Sequence, residues 1–200
     1  MLDLRPIFLV IGLLLIPLGL GMLVPAVVDS AAAHPDWQVF TVSAGLTLFV
    51  GAGLFLSNRG ASEQLNIKQA FLLTTLVWVV LPGFAALPFI FSDLQMGFTD
   101  AYFEAMSGLT TTGSTVITGL DAAPPGILIW RAILQWLGGI GIIVMAVSVL
   151  PMLRVGGMQL FRVEAFEADK VLPRAAQIAG GIAIVYVFLT GFAAIAVSDT

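Results

Sequence analysis

Long apolar runs separated by short polar stretches set the pattern of this chain. Five runs reach the length of about 20 residues that an α-helix needs to cross the hydrocarbon layer of a bilayer. They cover residues 6–28, 37–56, 69–91, 126–151 and 175–197. The pattern therefore predicts five membrane-spanning helices, the third of them with a bend near Pro82.

The composition supports a membrane protein and excludes several other classes. Hydrophobic residues make up 59% and charged residues 10% of the chain, and the mean hydropathy is +1.05, whereas soluble domains have about 45–50% and about 25%. The net charge is −4 with only eight Lys and Arg residues, so no nucleic-acid partner is expected. The sequence contains no cysteine, which excludes disulfides, thiol catalysis and thiolate metal sites within it. We expect the lipid bilayer to be its main surroundings.

The first apolar run is predicted to be a retained anchor. Ala31-Ala32-Ala33 resembles a cleavage site, but the preceding run is longer than the about 7–15 residues of a signal peptide's apolar region, so cleavage is the less favoured alternative. The only histidine, His34, follows beside Pro35 and Asp36. One histidine cannot build a metal cluster alone, so His34 is interpreted as a polar loop residue.

Basic residues predict the orientation of the spans, because Lys and Arg in short loops are retained in the cytoplasm. A cytoplasmic N-terminus places all but one of them on that side: Arg5, Arg59, Lys68, Arg154, Arg162, Lys170 and Arg174. The exception is Arg131. The outer segment between the third and fourth runs then carries acidic residues: Asp93, Asp100, Glu104 and Asp121.

That outer segment begins with a helix too short to span. Thr99 and Asp100 are helix-start signals and Gly108 is a stop signal, which predicts a helix over residues 97–108. The hydroxyl-rich stretch LTTTGSTV follows at residues 109–116. Non-helical backbone at membrane depth requires protein or water around it. The arrangement therefore favours a re-entrant loop lining a pore, with a Thr-rich surface loop as the alternative.

A re-entrant loop of this composition has the groups that a dehydrated cation requires. Its backbone carbonyls can replace hydration oxygens, and Gly113 permits a backbone conformation closed to other residues. The half-helix directs the negative end of its dipole, near Gly108, toward such a cation. A membrane-embedded enzyme is the competing class, but the predicted spans hold no His, Asp, Glu or Cys at mid-depth.

Three motifs, in order along the chain, resemble the Trk/Ktr/HKT superfamily of potassium-uptake membrane subunits. The first pore helix and filter of that family are similar to YFEAMSGLTTTGSTV at residues 102–116. The helix after the filter is similar to WRAILQWLGGIG at 130–141, and the cytoplasmic segment beyond it to VGGMQLFR at 155–162. The two extra N-terminal spans resemble the TrkH branch specifically.

The resemblance implies an all-α polytopic fold with four helix–pore-loop–helix repeats around one ion path. On that template the chain divides into a two-helix unit (1–60), a first repeat (66–153) with half-helix (97–108) and filter (110–115), a cytoplasmic linker (154–173) and the first helix of a second repeat (174–200). Only one filter segment is present, so we expect an incomplete four-repeat channel and a sequence that is part of a longer protein.

The resemblance further implies potassium uptake across the bacterial inner membrane, by a channel or by symport, and no enzymatic activity. The implied filter residues are Thr111, Thr112, Gly113 and Ser114, with K⁺ at Thr111 and Thr112 and support from Thr110 and Thr115. K⁺ is the transported ion, and no organic cofactor is expected. A sodium-permeable or non-selective member, or a non-conducting fragment with a structural or assembly role, are the alternatives.

The implied partners are a second copy of the chain, forming a homodimer, and a cytoplasmic nucleotide-binding regulatory subunit of the TrkA type. Residues 152–174 are expected to be a docking surface for that subunit or a solvated linker. Arg131 is a further candidate for supporting the filter, because a guanidinium near the end of a span is costly unless paired. We expect it to pair with Glu104 or Asp121, with snorkelling to the interface as the alternative.

Overall fold

The computed structural model describes residues 3–61, 65–153, 181 and 184–190. Its named elements are α1 (Arg5–Ala31), α2 (Trp37–Ser57), α3 (Ile67–Ala85), α4 (Leu87–Phe91), α5 (Phe98–Leu109), a 3₁₀ turn (Leu120–Ala122) and α6 (Pro125–Leu153). All of these are helical, which confirms the predicted all-α fold. Two compact units are present, Met1–Gly139 and Ile140–Thr200, and the boundary between them falls within α6.

The helices match the predicted spans closely. Three described helices are long and apolar enough to cross a bilayer: Arg5–Ala31, Trp37–Ser57 and Lys68–Phe91. The fourth predicted span corresponds to α6, which has 29 residues. Most of the fifth lies outside the described residues, although residues 181 and 184–190 are helical. The predicted linker at 154–173 lies wholly outside them.

A tight contact joins α1 and α2. A Cβ built on Gly12 would lie 2.7 Å from both the carbonyl oxygen of Gly51 and the backbone nitrogen of Phe55. Only glycine lets the two backbones come this close, and small residues at such contacts are typical of helix association in lipid. The face of α1 that turns inward has helical spacing: Ile7, Ile11, Leu15, Leu18 and Met22 are all buried.

The outward faces of the spans are apolar instead of polar. Val42, Phe49 and Phe71 are 71%, 78% and 59% exposed. Isolated exposed apolar side chains are ordinary in soluble proteins, but contiguous apolar faces of this kind are not. The exposed surface of α1, α2 and α3 is therefore suited to hydrocarbon.

The third span is interrupted at Ala86, whereas the sequence predicted a bend near Pro82. α3 continues through Pro82 to Ala85, and α4 begins with Pro88 in its first turn. The Ala86 N–H still donates to the Pro82 carbonyl at 2.9 Å. Pro88 has no N–H to continue the helix, so the interruption comes just before it. The indole Nε1 of Trp130 donates to the Ala85 carbonyl at 3.0 Å and satisfies this helix end from α6.

Candidate functional site

The short helix α5 lies where the sequence predicted one, shifted by a single residue. Its 12 residues correspond to about 18 Å at about 1.5 Å per residue, which is too short for a hydrocarbon layer of about 30 Å. Gly97 precedes it with extended backbone, φ −60° and ψ 153°. The buried face of α5 carries Ala101, Glu104 and Ala105, so the helix is packed within the first unit.

A proline in α3 provides the acceptor that holds α5 in place. Pro82 has no N–H and therefore leaves the carbonyl of Trp78, four residues earlier, without its helical donor. The Tyr102 hydroxyl of α5 donates toward that carbonyl at 3.4 Å and toward the carbonyl of Val79 at 3.2 Å. The irregularity in the third span thus has a structural use, because it creates a polar contact between α3 and α5.

Glycines bring the end of α5 against the backbone of α6. A Cβ built on Gly108 would lie 2.8 Å from the Cβ of Leu134. A Cβ built on Gly138 would overlap the carbonyl oxygen of Leu109. Both positions are buried. The chain therefore leaves α5 at a point fixed by close contact with α6.

The backbone after α5 turns sharply instead of continuing the helix. The N–H groups of Thr112 and Gly113 donate to the Ser107 carbonyl at 3.0 and 3.3 Å, and the Thr111 N–H donates to the Gly108 carbonyl at 2.9 Å. Gly113 has φ +76°, as expected of it, but Thr111 also has a positive φ, +58°. A β-branched residue rarely adopts this conformation, so Thr111 is a strained position within the loop.

Side chains hold both ends of this loop. Ser107 Oγ donates to the Ser114 carbonyl at 2.6 Å. Thr110 Oγ1 donates to the Met106 carbonyl at 2.8 Å and lies 2.8 Å from Thr112 Oγ1. Thr115 Oγ1 accepts the N–H of Ile117 at 3.0 Å. The hydroxyls of Ser107, Thr110 and Thr115 therefore serve the loop's own backbone.

A buried ion pair fixes the far end of the loop. Arg131 Nε donates to Glu104 Oε1 at 2.6 Å, and the N–H of Val116 donates to Glu104 Oε2 at 3.0 Å. The side chains of Arg131 and Glu104 are 14% and 0% exposed. Of the two partners considered for Arg131, the structure therefore pairs it with Glu104, whereas Asp121 is exposed. Charge-assisted hydrogen bonds of this kind are stronger than neutral ones.

The other side of the loop presents polar groups without partners. Thr111, Thr112, Gly113 and Ser114 are all exposed. Within the part of the chain that the structure describes, the carbonyl oxygens of Thr111, Thr112 and Gly113 accept no hydrogen bond. The Ser114 carbonyl is already occupied by Ser107. Three consecutive carbonyls thus accept no hydrogen bond from the described residues, whereas the Thr112 hydroxyl is already paired with that of Thr110.

A second polar group lies where α1 ends and α2 begins, and the sequence did not reveal it. Asp29 is fully buried, and its Oδ1 accepts the N–H of Gly126 at 2.7 Å. His34 is in the predicted turn, but its Nδ1 lies 3.8 Å from Asp36 Oδ2. Asp36 is 2% exposed and accepts the Asp93 N–H at 3.1 Å. Burial raises the pKa of the Asp36 carboxyl above its ordinary value.

Comparison with known proteins agrees with the resemblance of the motifs. The TrkH family, described as cation transport protein, matches residues 37–198. The Trk system potassium uptake protein TrkH of Halomonas elongata is 43% identical over 198 residues, covering 97% of this chain and 41% of that protein. TrkH of Escherichia coli K12 is 42% identical over 196 residues, covering 96% of this chain and 41% of that protein.

A solved structure matches as well. The crystal structure of the potassium transporter TrkH from Vibrio parahaemolyticus superposes with a TM-score of 0.80 at 38% identity, covering 94% of this chain and 38% of that one. The chain therefore spans 41% of the length of the two TrkH relatives compared above.

Proposed function

The chain belongs to the TrkH family of cation transport proteins, and we propose that it supplies the first of four filter segments in the pore-forming subunit of a Trk-type potassium-uptake system. The family is one of transporters and not of enzymes, and the relatives named above are potassium uptake proteins. The proposed filter is Thr111, Thr112, Gly113 and Ser114, with K⁺ held at Thr111 and Thr112.

The unpaired carbonyls of Thr111, Thr112 and Gly113 carry this proposal. A potassium ion that enters a pore must exchange its hydration shell for protein oxygens. One segment supplies oxygens from one side only, so a closed ring requires three further segments. The 41% share of the relatives' length leaves room for them in a longer protein.

The hydrogen bonds behind the loop support the same proposal. A filter has to keep its oxygens at a fixed separation while ions pass. A side chain that lines the ion path cannot also fix the backbone, so residues outside the path have to do so. Here Ser107 and Glu104 hold the carbonyl of Ser114 and the N–H of Val116 from the α5 side. We assign Thr110, Thr115, Glu104 and Arg131 to this supporting role.

The proposed topology follows from the same template. Residues 1–60 form the two-helix unit, 66–153 the first repeat, 154–173 a cytoplasmic linker and 174–200 the start of the second repeat. The N-terminus is cytoplasmic in an inner-membrane protein, and a homodimer carries a TrkA-type nucleotide-binding subunit on its cytoplasmic face. Single cysteines that replace Ala32 and Ala61 test the orientation with a membrane-impermeant thiol reagent, because these 200 residues contain no cysteine. In intact cells we expect labelling of position 32 alone, whereas labelling of position 61 alone would reverse the proposed orientation.

The decisive experiment expresses the full-length protein in bacteria that lack their own potassium-uptake systems. We expect growth at low external potassium and uptake of ⁸⁶Rb⁺. Gly113→Ala should weaken the preference for K⁺ over Na⁺, because a side chain is strained at φ +76°. Gly53→Ala is the matched control, because a Cβ there meets nothing within 4 Å.

Two outcomes would reject parts of the proposal. Full-length protein that reaches the membrane without supporting any uptake would reject the transport function itself. Uptake with an unchanged K⁺/Na⁺ preference in Gly113→Ala would reject this loop as the filter. Expression of residues 1–200 alone tests the remaining alternative, a non-conducting fragment. A single filter segment without the other three is expected to conduct nothing.

A further inference from the structure

Three metal-ligating side chains lie together at the end of the first unit where α1 ends and α2 begins. One ligand atom from each of Asp29, His34 and Asp36 lies within 4.8 Å of the other two. Asp29 and Asp36 are buried, at 0% and 2% exposure, and the side chain of His34 is 27% exposed. Two carboxylates removed from water in one place are costly unless a positive charge or hydrogen bonds compensate them.

Those hydrogen bonds are incomplete. Asp29 Oδ1 accepts the N–H of Gly126, but among the described residues no group donates to Asp29 Oδ2, which is fully buried. Buried polar atoms without partners are rare in folded proteins. Because Gly126 occupies Oδ1, the oxygen that remains for a ligand is Oδ2. The glycine is also required there, since a Cβ on residue 126 would overlap this carboxylate.

We propose that Asp29, His34 and Asp36 bind a divalent transition-metal cation of the Zn²⁺ type. A donor set of one imidazole nitrogen and two carboxylate oxygens suits Zn²⁺, whereas Mg²⁺ and Ca²⁺ prefer oxygen donors alone. Zinc holds these donors at about 2.0–2.2 Å, so binding requires only a small approach of three atoms that already lie within 4.8 Å of one another. His34 lies in a partly exposed turn and can make that movement.

Asp93 provides a further oxygen beside the proposed site. Its Oδ2 lies 3.7 Å from His34 Nε2, and its N–H donates to Asp36. A bound cation would therefore connect the turn between α1 and α2 with the segment after α4, and through Asp29 with the start of α6. This role is independent of the ion path proposed above, because Asp29, His34 and Asp36 belong neither to the proposed filter nor to its supporting residues.

The test uses the full-length protein purified in detergent with a histidine-free affinity tag and treated with a chelator. ZnCl₂ is titrated by calorimetry, and thermal unfolding is followed with and without the metal. We expect one zinc per chain and a higher unfolding temperature with zinc, because a ligand that binds only the folded state stabilises it. Loss of a partner that merely supports a metal ligand costs about 10–100-fold in affinity, so His34→Gln and Asp36→Asn should each lose at least about tenfold.

A matched control and a spectroscopic measurement keep the outcomes distinct. Asp100→Asn removes an exposed carboxylate elsewhere in the unit and should leave zinc affinity unchanged. Imidazole NMR signals of ¹³C-histidine-labelled protein should include one that shifts with zinc and disappears in His34→Gln. No zinc binding, or zinc binding equal in wild type, His34→Gln and Asp36→Asn, would overturn the site. Tighter binding of CaCl₂ than of ZnCl₂, insensitive to His34→Gln, would overturn the imidazole ligand.

Discussion

Replacing Arg131 by Gln should damage the protein more than any other single charge removal in the first unit. Glu104 has a fully buried side chain, and Arg131 is its cationic partner at 2.6 Å. Removing one member of a buried pair leaves an uncompensated charge and costs about 3–5 kcal/mol. The Val116 N–H still donates to Glu104 in the variant, so we expect a loss of about 3 kcal/mol, at the lower end of that range.

Replacing Glu104 by Gln tests the same contact from the other side. The carboxylate accepts two hydrogen bonds, one on each oxygen, whereas a carboxamide offers one acceptor and one donor. Either Arg131 or the Val116 N–H must then face an NH₂ group. Loss of one hydrogen bond to a charged group costs about 1.5–3 kcal/mol. The double variant Glu104→Gln with Arg131→Gln buries no lone charge, so its loss should be smaller than the sum of the two by at least about 1 kcal/mol.

The assay is chemical denaturation of the full-length protein in lipid nanodiscs, with ⁸⁶Rb⁺ uptake in cells as a second measurement. The unfolding free energy reports the pair directly, and the uptake measurement reports whether the loop depends on it. Asp121→Asn is the control, because Asp121 is exposed and is the other partner that the sequence predicted for Arg131. Its unfolding free energy should stay within about 0.5 kcal/mol of wild type.

Three results would refute this reasoning. An Arg131→Gln variant with unchanged stability and uptake would mean that the guanidinium does not compensate Glu104. Strict additivity of the two single losses would mean that the residues do not interact energetically, whatever their distance. Asp121→Asn behaving like Arg131→Gln would transfer the partnership to Asp121.

Other contacts give smaller and separable effects on the same denaturation assay. Gly138→Ala should cost about 1–3 kcal/mol, because its Cβ would overlap the Leu109 carbonyl; a neutral result would contradict the close approach of α5 and α6. Trp130→Phe should cost about 1–3 kcal/mol, since it leaves the Ala85 carbonyl without its donor, and equal stability would show that another donor replaces it. Tyr102→Phe should cost about 0.5–1.5 kcal/mol, and a zero effect would remove its hydroxyl from the docking of α5.

Local features of the sequence predicted the elements well because each signal lies within the segment it describes. The lengths of the apolar runs placed the first four spans, and Gly108 placed the end of α5 within one residue of Leu109. The interruption of the third span was misplaced by a few residues. Pro82 removes a hydrogen bond without ending α3, whereas the break comes before the second proline, Pro88, in the first turn of α4.

Contacts between segments were harder to predict because their register is set by tertiary packing. Charge alone leaves two candidate partners for Arg131. The packing of α6 on α5 is what places Glu104, and not Asp121, beside it. The contact of Asp29 with Gly126 joins residues 97 positions apart, and no local pattern relates them. The positive φ of Thr111 runs against the preference of a β-branched residue. It follows from the backbone hydrogen bonds of the turn after α5 and not from the residue type.

The position of the proposed filter depends on α5 more than on the loop itself. Glu104 and Ser107 lie three residues apart, on one face of the helix, and they bind the loop at Val116 and Ser114. A shift of α5 therefore carries both anchors, and the carbonyls before them, with it.

The position of α5 depends in turn on contacts that lie outside the loop itself. One is the pair of carbonyls in α3 that Tyr102 contacts, of which that of Trp78 is freed by Pro82. The other is the glycine contact that lets Leu109 approach Gly138. Substitutions at Pro82 or Gly138 should therefore alter ion preference as well as stability. If the loop alone positioned the filter, the same substitutions would lower stability and leave ion preference unchanged. Measuring the K⁺/Na⁺ preference of Gly138→Ala separates these two cases, because that residue contributes no side chain to the loop.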